Sequence, residues 1–530
     1  MSEKKLVLII EANQGYIPQT EGKEGFQVQN SILFSAMTET YIPLLNMFCQ
    51  LEKENIPFKL GLVISPSICA LLSDSSIQDK YIEYLDELIK LGNAEISRCK
   101  NSNCLEQAKS CLESIERTKA DFIETYGKNL LGKIRYFEKL GILELIPTAA
   151  TFSYIPHYSD YPEAINAQIE TGLYSQRNFF GDNGDGFWLP YMGWDKNLEK
   201  PLRSYGINYT VLDARSILFS EQCPQEGIFS PVRTKSSLVI FGSDPDTPQD
   251  IAGEDGFFTN EAYRSQIRDI GFDLEQERLG DFFGKKTDAR IPTGFKYWSN
   301  ESEDDDLVPY NSAEAKKQII KDALNFYTSK AEKLEQAANI MQEKDAVLVC
   351  TIPAEFLGQK WHEGVEWLEN VIRCRASRRG FEFEVCKNLL DKQFSLPKIE
   401  LYQCSANGLG YGEDLLDNSN SWMIRYTRKA TQRIIDLAER FPSETSLKER
   451  LLNMAAKQVL LAQSGDWPAM IHDGKTPDYI EELFKDEILS FTRVFDSLAS
   501  NTVSTEWLTS CERKNKIFPW LNYRIFSKKK

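Results

Sequence analysis

The chain has 530 residues, of which 42% are hydrophobic and 26% charged. That length exceeds what one hydrophobic core fills, so two or three packed domains are expected, and the composition excludes a disordered or fibrous chain. A net charge of -16 at pH 7 works against nucleic acid or an anionic membrane surface as the main partner and favours a neutral one.

The first element is the apolar run Lys5 to Ile10, and similar runs recur at Phe58 to Ile64, Tyr209 to Leu212, Leu238 to Phe241 and Ala346 to Thr351. Continuous Val/Ile/Leu runs of this length read as parallel strands buried on both faces. Helical patterns lie between them, as at Asn30 to Lys53 and Ala313 to Glu343. Strands alternating with long helices predict a parallel α/β barrel whose functional groups stand at the C-terminal strand ends, where the loops Glu11 to Pro18 and Pro353 to Trp361 begin. Residues 75–145 break the rhythm with helix-period, charge-laced sequence, read as a helical insert. From about Asn420 three more helices are expected, Arg425 to Arg440, Leu447 to Ser464 and Asp478 to Ala499, with Asp417-Asn-Ser-Asn as the capping region of the first. The acidic run Asn300 to Asp306 reads as a solvated loop. The expected division is a barrel over 1–74 and 146–395, the insert over 75–145, and a helical domain over 396–530.

Eleven cysteines form no CxxC pair, and Cys99, Cys104 and Cys111 fall in helical sequence rather than at metal-ligand spacing. The three histidines, His157, His362 and His472, are not spaced for a zinc site or a triad. No metal or cofactor is expected. The run Leu6 to Ile10 is too short for a signal-peptide core, and no stretch is read as reaching the roughly 20 apolar residues of a membrane span, so a cytoplasmic protein with free thiols is expected.

Several segments, in order, resemble the glucan branching enzymes and amylases of glycoside hydrolase family 57. They include Thr38-Glu-Thr-Tyr-Ile-Pro-Leu-Leu, Phe187-Trp-Leu-Pro, Phe241-Gly-Ser-Asp-Pro-Asp-Thr, Tyr263 to Gly271, Glu363-Gly-Val-Glu-Trp-Leu, Leu460-Leu-Ala-Gln-Ser-Gly-Asp-Trp-Pro and Ile517-Phe-Pro-Trp-Leu-Asn-Tyr-Arg. The resemblance spans essentially the whole chain. It implies an incomplete (β/α)7 barrel with a helical insert and a C-terminal α-helical domain closing over the barrel mouth.

The departures from the family pattern fall on its chemistry. A retaining glycosidase needs a carboxylate nucleophile and a second carboxyl as acid/base, roughly 5 to 5.5 Å apart. The resemblance places the nucleophile at the third residue of Leu189-Pro-Tyr-Met-Gly-Trp194, which is Tyr191, and the acid/base at the first residue of Pro353-Ala-Glu-Phe-Leu-Gly-Gln-Lys-Trp361, which is Pro353. A prolyl side chain cannot transfer a proton. The family's opening His-x-His is Glu11-Ala-Asn13 here, its Thr-His is Thr151-Phe152, its lid loop is Gly256-Phe-Phe-Thr259, and its Gly-Arg-Asp is Gly242-Ser-Asp244.

Glu11, Asp213, Asp244 and Glu355 are the acids that could take over the chemistry, although Asp213 and Glu355 read more simply as scaffold groups. The candidate pocket comprises Glu11, Asn13, Phe152, Trp188, Asp213, Asp244, Phe257, Glu355, Trp361, Trp422, Asp466 and Trp467, with Trp467 as the stacking surface. The expectation is a non-catalytic protein that binds α-glucan or an oligosaccharide, or regulates polysaccharide metabolism. The alternatives are an active retaining enzyme with relocated carboxylates and a scaffold for a protein partner. The mouth is expected to be refilled by Phe152, Tyr191, Met192, Phe257 and Phe258.

Overall fold

A computed structural model describes residues 3–18, 26–275, 278–279, 290, 292–301, 306–342, 345–391, 393–475, 477–500, 502 and 504–529. Of the acidic run at 300–306, positions 302–305 lie outside the described residues.

Among the described residues eight strands are present: β1 (Lys4–Ala12), β2 (Leu60–Ile64), β3 (Leu143–Ile146), β4 (Tyr209–Leu212), β5 (Val232–Arg233), β6 (Val239–Gly242), β7 (Ala346–Pro353) and β8 (Glu382–Phe383). One sheet runs β3-β2-β1-β7, with β8 beside the first half of β1; the other runs β4-β6-β5. Single parallel bridges join them, Thr148 with Trp188, Gly186 with Tyr209, and Ser243 with Val349. At these seams Trp188 N donates to Pro147 O (2.8 Å), Phe187 N to Tyr209 O (3.0 Å) and Asp244 N to Val349 O (2.6 Å). With the extended segment 186–188 included, the ring β1, β2, β3, 186–188, β4, β6, β7 closes on itself. It is an incomplete seven-stranded barrel, since isolated bridges rather than ladders seal three of its seams.

Alternation along each strand builds two layers. Leu6, Leu8 and Ile10 of β1 point outward into the main core beneath the helices, whereas Val7 and Ile9 point inward. Val63, Ile146, Trp188, Val211, Phe241, Val347 and Val349 join them inside. Bulky apolar side chains therefore fill the barrel, and only its C-terminal rim is free for chemistry.

The helix Ser312–Met341 packs against the outside of β7, and the helix Gly364–Ser377 packs on it and on the helix Ile42–Lys53. The helices Ser75–Arg98, Leu105–Ala120 and Leu130–Lys139 supply the expected helical segment. One boundary is corrected: β3 starts at Leu143, inside the stretch expected to be insert, and pairs with β2. Its Glu144 is buried, accepting from Tyr209 Oη at 2.7 Å.

The stretch Asn30–Lys53 also departs from expectation, being long and apolar enough to cross a membrane by length and composition. Here it packs as core, with Leu33, Met37, Leu45, Phe48 and Leu51 buried.

The C-terminal helices Ser421–Arg440, Ser446–Ala462, Pro477–Ser500 and Thr505–Lys514 follow the barrel. Buried polar contacts dock them on its rim: Thr151 Oγ1 donates to Leu460 O (2.6 Å), and Gln168 Nε2 to Gln463 Oε1 (2.9 Å). Gln463 Nε2 in turn donates to Thr431 Oγ1 (2.8 Å). With every partner satisfied, such a network fixes one docking geometry rather than adding bulk affinity.

Candidate active site

The rim is built by strand register. Glu11 pairs directly with Pro353 in the β1–β7 ladder, and both share the parity of the inward residues below them, so they stand side by side above Val7, Ile9, Val347 and Val349. Pro353 is exposed and Glu11 partly so. Glu355 follows on the short 3-10 turn Ala354–Phe356, paired with Lys360 at 2.5 Å. Trp188 lies in the barrel interior with its indole N–H toward Glu11 and no other partner among the described residues.

The segment after Trp188 turns sharply over the mouth. Tyr191 and Met192 have φ of 57° and 50°, and Phe152, at the end of the loop after β3, has φ of 49°. Left-handed backbone at three non-glycine residues costs on the order of 1 to 3 kcal/mol each and persists only where the surroundings impose it. Those surroundings are visible. Tyr191 O accepts from Ala406 N at 2.7 Å, and the Phe152 and Tyr191 rings meet edge to face at 5.5 Å. Tyr154 packs on Tyr191 at 6.3 Å. A Cβ added at Gly465 would stand 2.5 Å from Phe152 O and 2.6 Å from the Tyr191 ring, so only glycine lets the helical domain close here.

Asp466 enters from that domain. Its Oδ1 accepts from Asn13 Nδ2 (2.8 Å) and its Oδ2 from Ser464 Oγ (2.9 Å). Burial raises its carboxyl to about 6 despite both bonds. Glu11 is pushed up to about 7, first by burial and then by the charges of Glu355 and Asp466, against the opposing pull of the Trp188 N–H. Tyr191 is driven well above an ordinary phenol, by burial first and then by Asp466 and Glu11, so it stays protonated at neutral pH.

Thus Glu11, Asn13, Phe152, Trp188, Tyr191, Pro353, Glu355 and Asp466 converge on the mouth. The other sequence candidates go elsewhere. Asp213 is held bidentately by Arg215 (2.7 and 3.1 Å). Asp244 turns away from the opening into a buried cluster with Lys330 (2.6 Å) and Lys333 (2.9 Å); burial pulls its carboxyl up, but the two ammonium groups prevail and hold it below the ordinary range. Trp361 is core, against Tyr263 and Trp367. Phe257 packs on Trp361, Trp367 and Phe326 instead of filling the mouth, and Phe258 packs on Phe356. Trp422 lies against Phe484 in the helical domain.

Trp467 is corrected as a stacking surface. It is 2% exposed, sits among Met423, Ile480, Leu483 and Phe484, and donates its indole N–H to Leu461 O at 3.0 Å. Gly15 lies so close to the ring that an added Cβ would stand 2.7 Å from it. Tyr154 and Gly465 were missed from sequence. The Gly465-Asp466 step inside an otherwise matching motif was the available signal for the second.

Residues 7–288 match the family model of glycosyl hydrolase family 57, and residues 426–526 match that of the 1,4-alpha-glucan branching enzyme C-terminal region. The 1,4-alpha-glucan branching enzyme TK1436 of Thermococcus kodakarensis is 25% identical over 497 residues, 89% of this chain and 70% of that one. The crystal structure of the alpha-amylase AmyC from Thermotoga maritima superposes with a TM-score of 0.90 at 27% identity, covering 100% of both chains. A GH57-type branching enzyme from Pyrococcus horikoshii shares the fold at a TM-score of 0.87 and 22% identity, covering 99% of this chain and 97% of that one. With more than half its length matched by the family model and the same fold from end to end, this chain belongs to glycosyl hydrolase family 57.

Proposed function

We propose that this family member binds α-glucan at the barrel mouth without carrying out the family's retaining chemistry. The observation that carries the reading is the pair Tyr191 and Pro353 on the C-terminal rim, at the two positions where the family resemblance puts nucleophile and acid/base. Pro353 has no transferable proton. Tyr191 keeps its own proton at neutral pH, and the nearest acids raise its pKa rather than deprotonate it, so no activated nucleophile stands beside it. Glu11, Asn13 and Asp466 remain as hydrogen-bonding groups for sugar hydroxyls. The relatives named as an alpha-amylase and a branching enzyme make a 1,4-linked glucan the ligand of choice. Eleven free thiols suit a reducing compartment, and we assign the protein to the cytoplasm on that basis.

One observation favours a second reading, catalysis by relocated carboxylates. Glu11, pushed up to about 7, would serve as the acid and Glu355 beside it as the nucleophile, since two carboxyls in unlike environments are what such a pair requires. Against it, Glu355 is tied to Lys360. Affinity electrophoresis in soluble amylose, followed by iodine spectra of the same gel, separates the two. Retarded migration with an unchanged spectrum is expected; a bleached or shifted iodine zone that disappears in Glu11→Gln would establish the second reading.

A further inference from the structure

We infer a second carbohydrate-binding site, outside the mouth, in the cavity between the barrel and the loop 516–520 of the helical domain. The inference rests on the glucan reading above and extends it to a different surface. The cavity has a volume of about 380 Å³ and lies between the helix Pro66–Ser73, the helix Pro162–Phe180 and that loop. Ligand sites favour such seams, where two units supply opposite walls.

Its chemistry is that of sugar recognition. Trp520 lines the cavity, and Tyr174, 45% exposed, packs on it at a tilt of 39° with ring centroids 3.9 Å apart. Tyr174 braces Trp520 from outside the cavity, and the indole stays partly exposed toward the cavity. Phe179 continues the apolar lining. Large aromatic side chains left partly exposed lose burial energy unless something covers them. The polar wall is Asn178, which is exposed, and the ion pair Lys516–Asp74 at 2.8 Å, which bridges the two units. Because the ammonium and carboxylate cancel, the cavity offers donors and acceptors without net charge. That combination suits a neutral polyhydroxylated ring with one apolar face and disfavours a phosphate or nucleotide, which would need an unpaired cation.

Two features give the site purpose. The loop is held in a costly shape, with Phe518 at φ of 50° and its ring against Trp520 at 5.6 Å, and strain of this kind collects at ligand sites. Tyr16, in the same cavity lining, accepts from Lys516 N at 3.1 Å. It belongs to the loop that carries Asn13, so the cavity adjoins the segment that forms the mouth. A glucan chain held on Trp520 would be tethered next to that opening.

The test measures binding of soluble amylose and of maltoheptaose by affinity electrophoresis and calorimetry, with wild type, Tyr174→Ala, Trp520→Ala and the mouth variant Tyr191→Ala, each checked for native circular dichroism. Tyr174 is exposed on a helix, so its variant folds even if Trp520→Ala does not. Amylose affinity is expected to fall roughly tenfold in Tyr174→Ala and Trp520→Ala, the effect of losing the stacked ring or the ring that braces it, and calorimetry with maltoheptaose should show one class of sites fewer. Wild-type affinity in both variants, with binding lost only in Tyr191→Ala, overturns this site and leaves the mouth reading intact. Absence of glucan binding by the wild type overturns both.

Discussion

Replacing Glu11 by Gln should change stability in a pH-dependent way whose sign follows from its environment. The folded carboxyl titrates near 7, while the unfolded one keeps its ordinary value of 4.5. Below pH 4.5 both states are protonated, and Glu11 contributes nothing to the pH dependence. As pH rises from 4.5 to 7 the unfolded chain releases the proton and the native one retains it, so native stability falls through that window. Each pH unit between the two titrations is worth about 1.4 kcal/mol, so holding Glu11 ionised above pH 7 costs on the order of 3 kcal/mol. Gln has the shape of the protonated acid and no charge to desolvate. Glu11→Gln should therefore match wild type at pH 5 and exceed it increasingly up to pH 8. Thermal midpoints of both proteins, taken at matched pH values and subtracted, isolate this residue from the other titrating groups. A difference that stays flat from pH 5 to 8, or a variant less stable at pH 8, would refute the placing of Glu11 in a partly desolvated rim beside the charges of Glu355 and Asp466.

Lys330→Met should destabilise the barrel by about 3 to 5 kcal/mol, because it leaves Asp244 buried against a single flanking ammonium; denaturant midpoints check it. Trp467→Ala should lower stability by roughly 3 to 5 kcal/mol as a core truncation while leaving glucan affinity near wild type; a tenfold weaker affinity in a stably folded variant would restore its ligand role. Gly465→Ala should loosen the helical domain from the rim, since no Cβ fits between Phe152 O and the Tyr191 ring, and limited proteolysis should then cut between the two units faster than in wild type.

Much of the scaffold was legible because buried parallel strands are continuous apolar runs, and β1, β2, β4, β6 and β7 announced themselves that way. Leu143–Ile146 did not: the preceding Tyr136-Phe-Glu-Lys-Leu continued a helical pattern, and Glu144 is accommodated in the interior by hydrogen bonds from Tyr209 Oη and Lys387 N. The extended segment at 186–188 is sealed by single bridges and has too few residues to show a period. Motif positions pointed to Glu11 and Pro353, which pair at the ends of β1 and β7, and to Tyr191 and Glu355, which lie on short turns just beyond the strands. What sequence did not reveal was orientation. Asp244 faces outward because Lys330 and Lys333, 86 and 89 positions later, claim it, and Trp467 is core because Pro477–Ser500 and the loop after β1 cover both its faces. Both outcomes depend on long-range packing that local pattern does not encode.

Prolonged incubation of concentrated protein with maltoheptaose, with products resolved by chromatography and mass, tests the loss of family chemistry most directly. The expected result is full recovery of the seven-glucose chain with no shorter, longer or branched species, under conditions where calorimetry shows the sugar bound. Product formation that is abolished by Glu11→Gln or Glu355→Gln would contradict it and mark the rim carboxylates as a working pair.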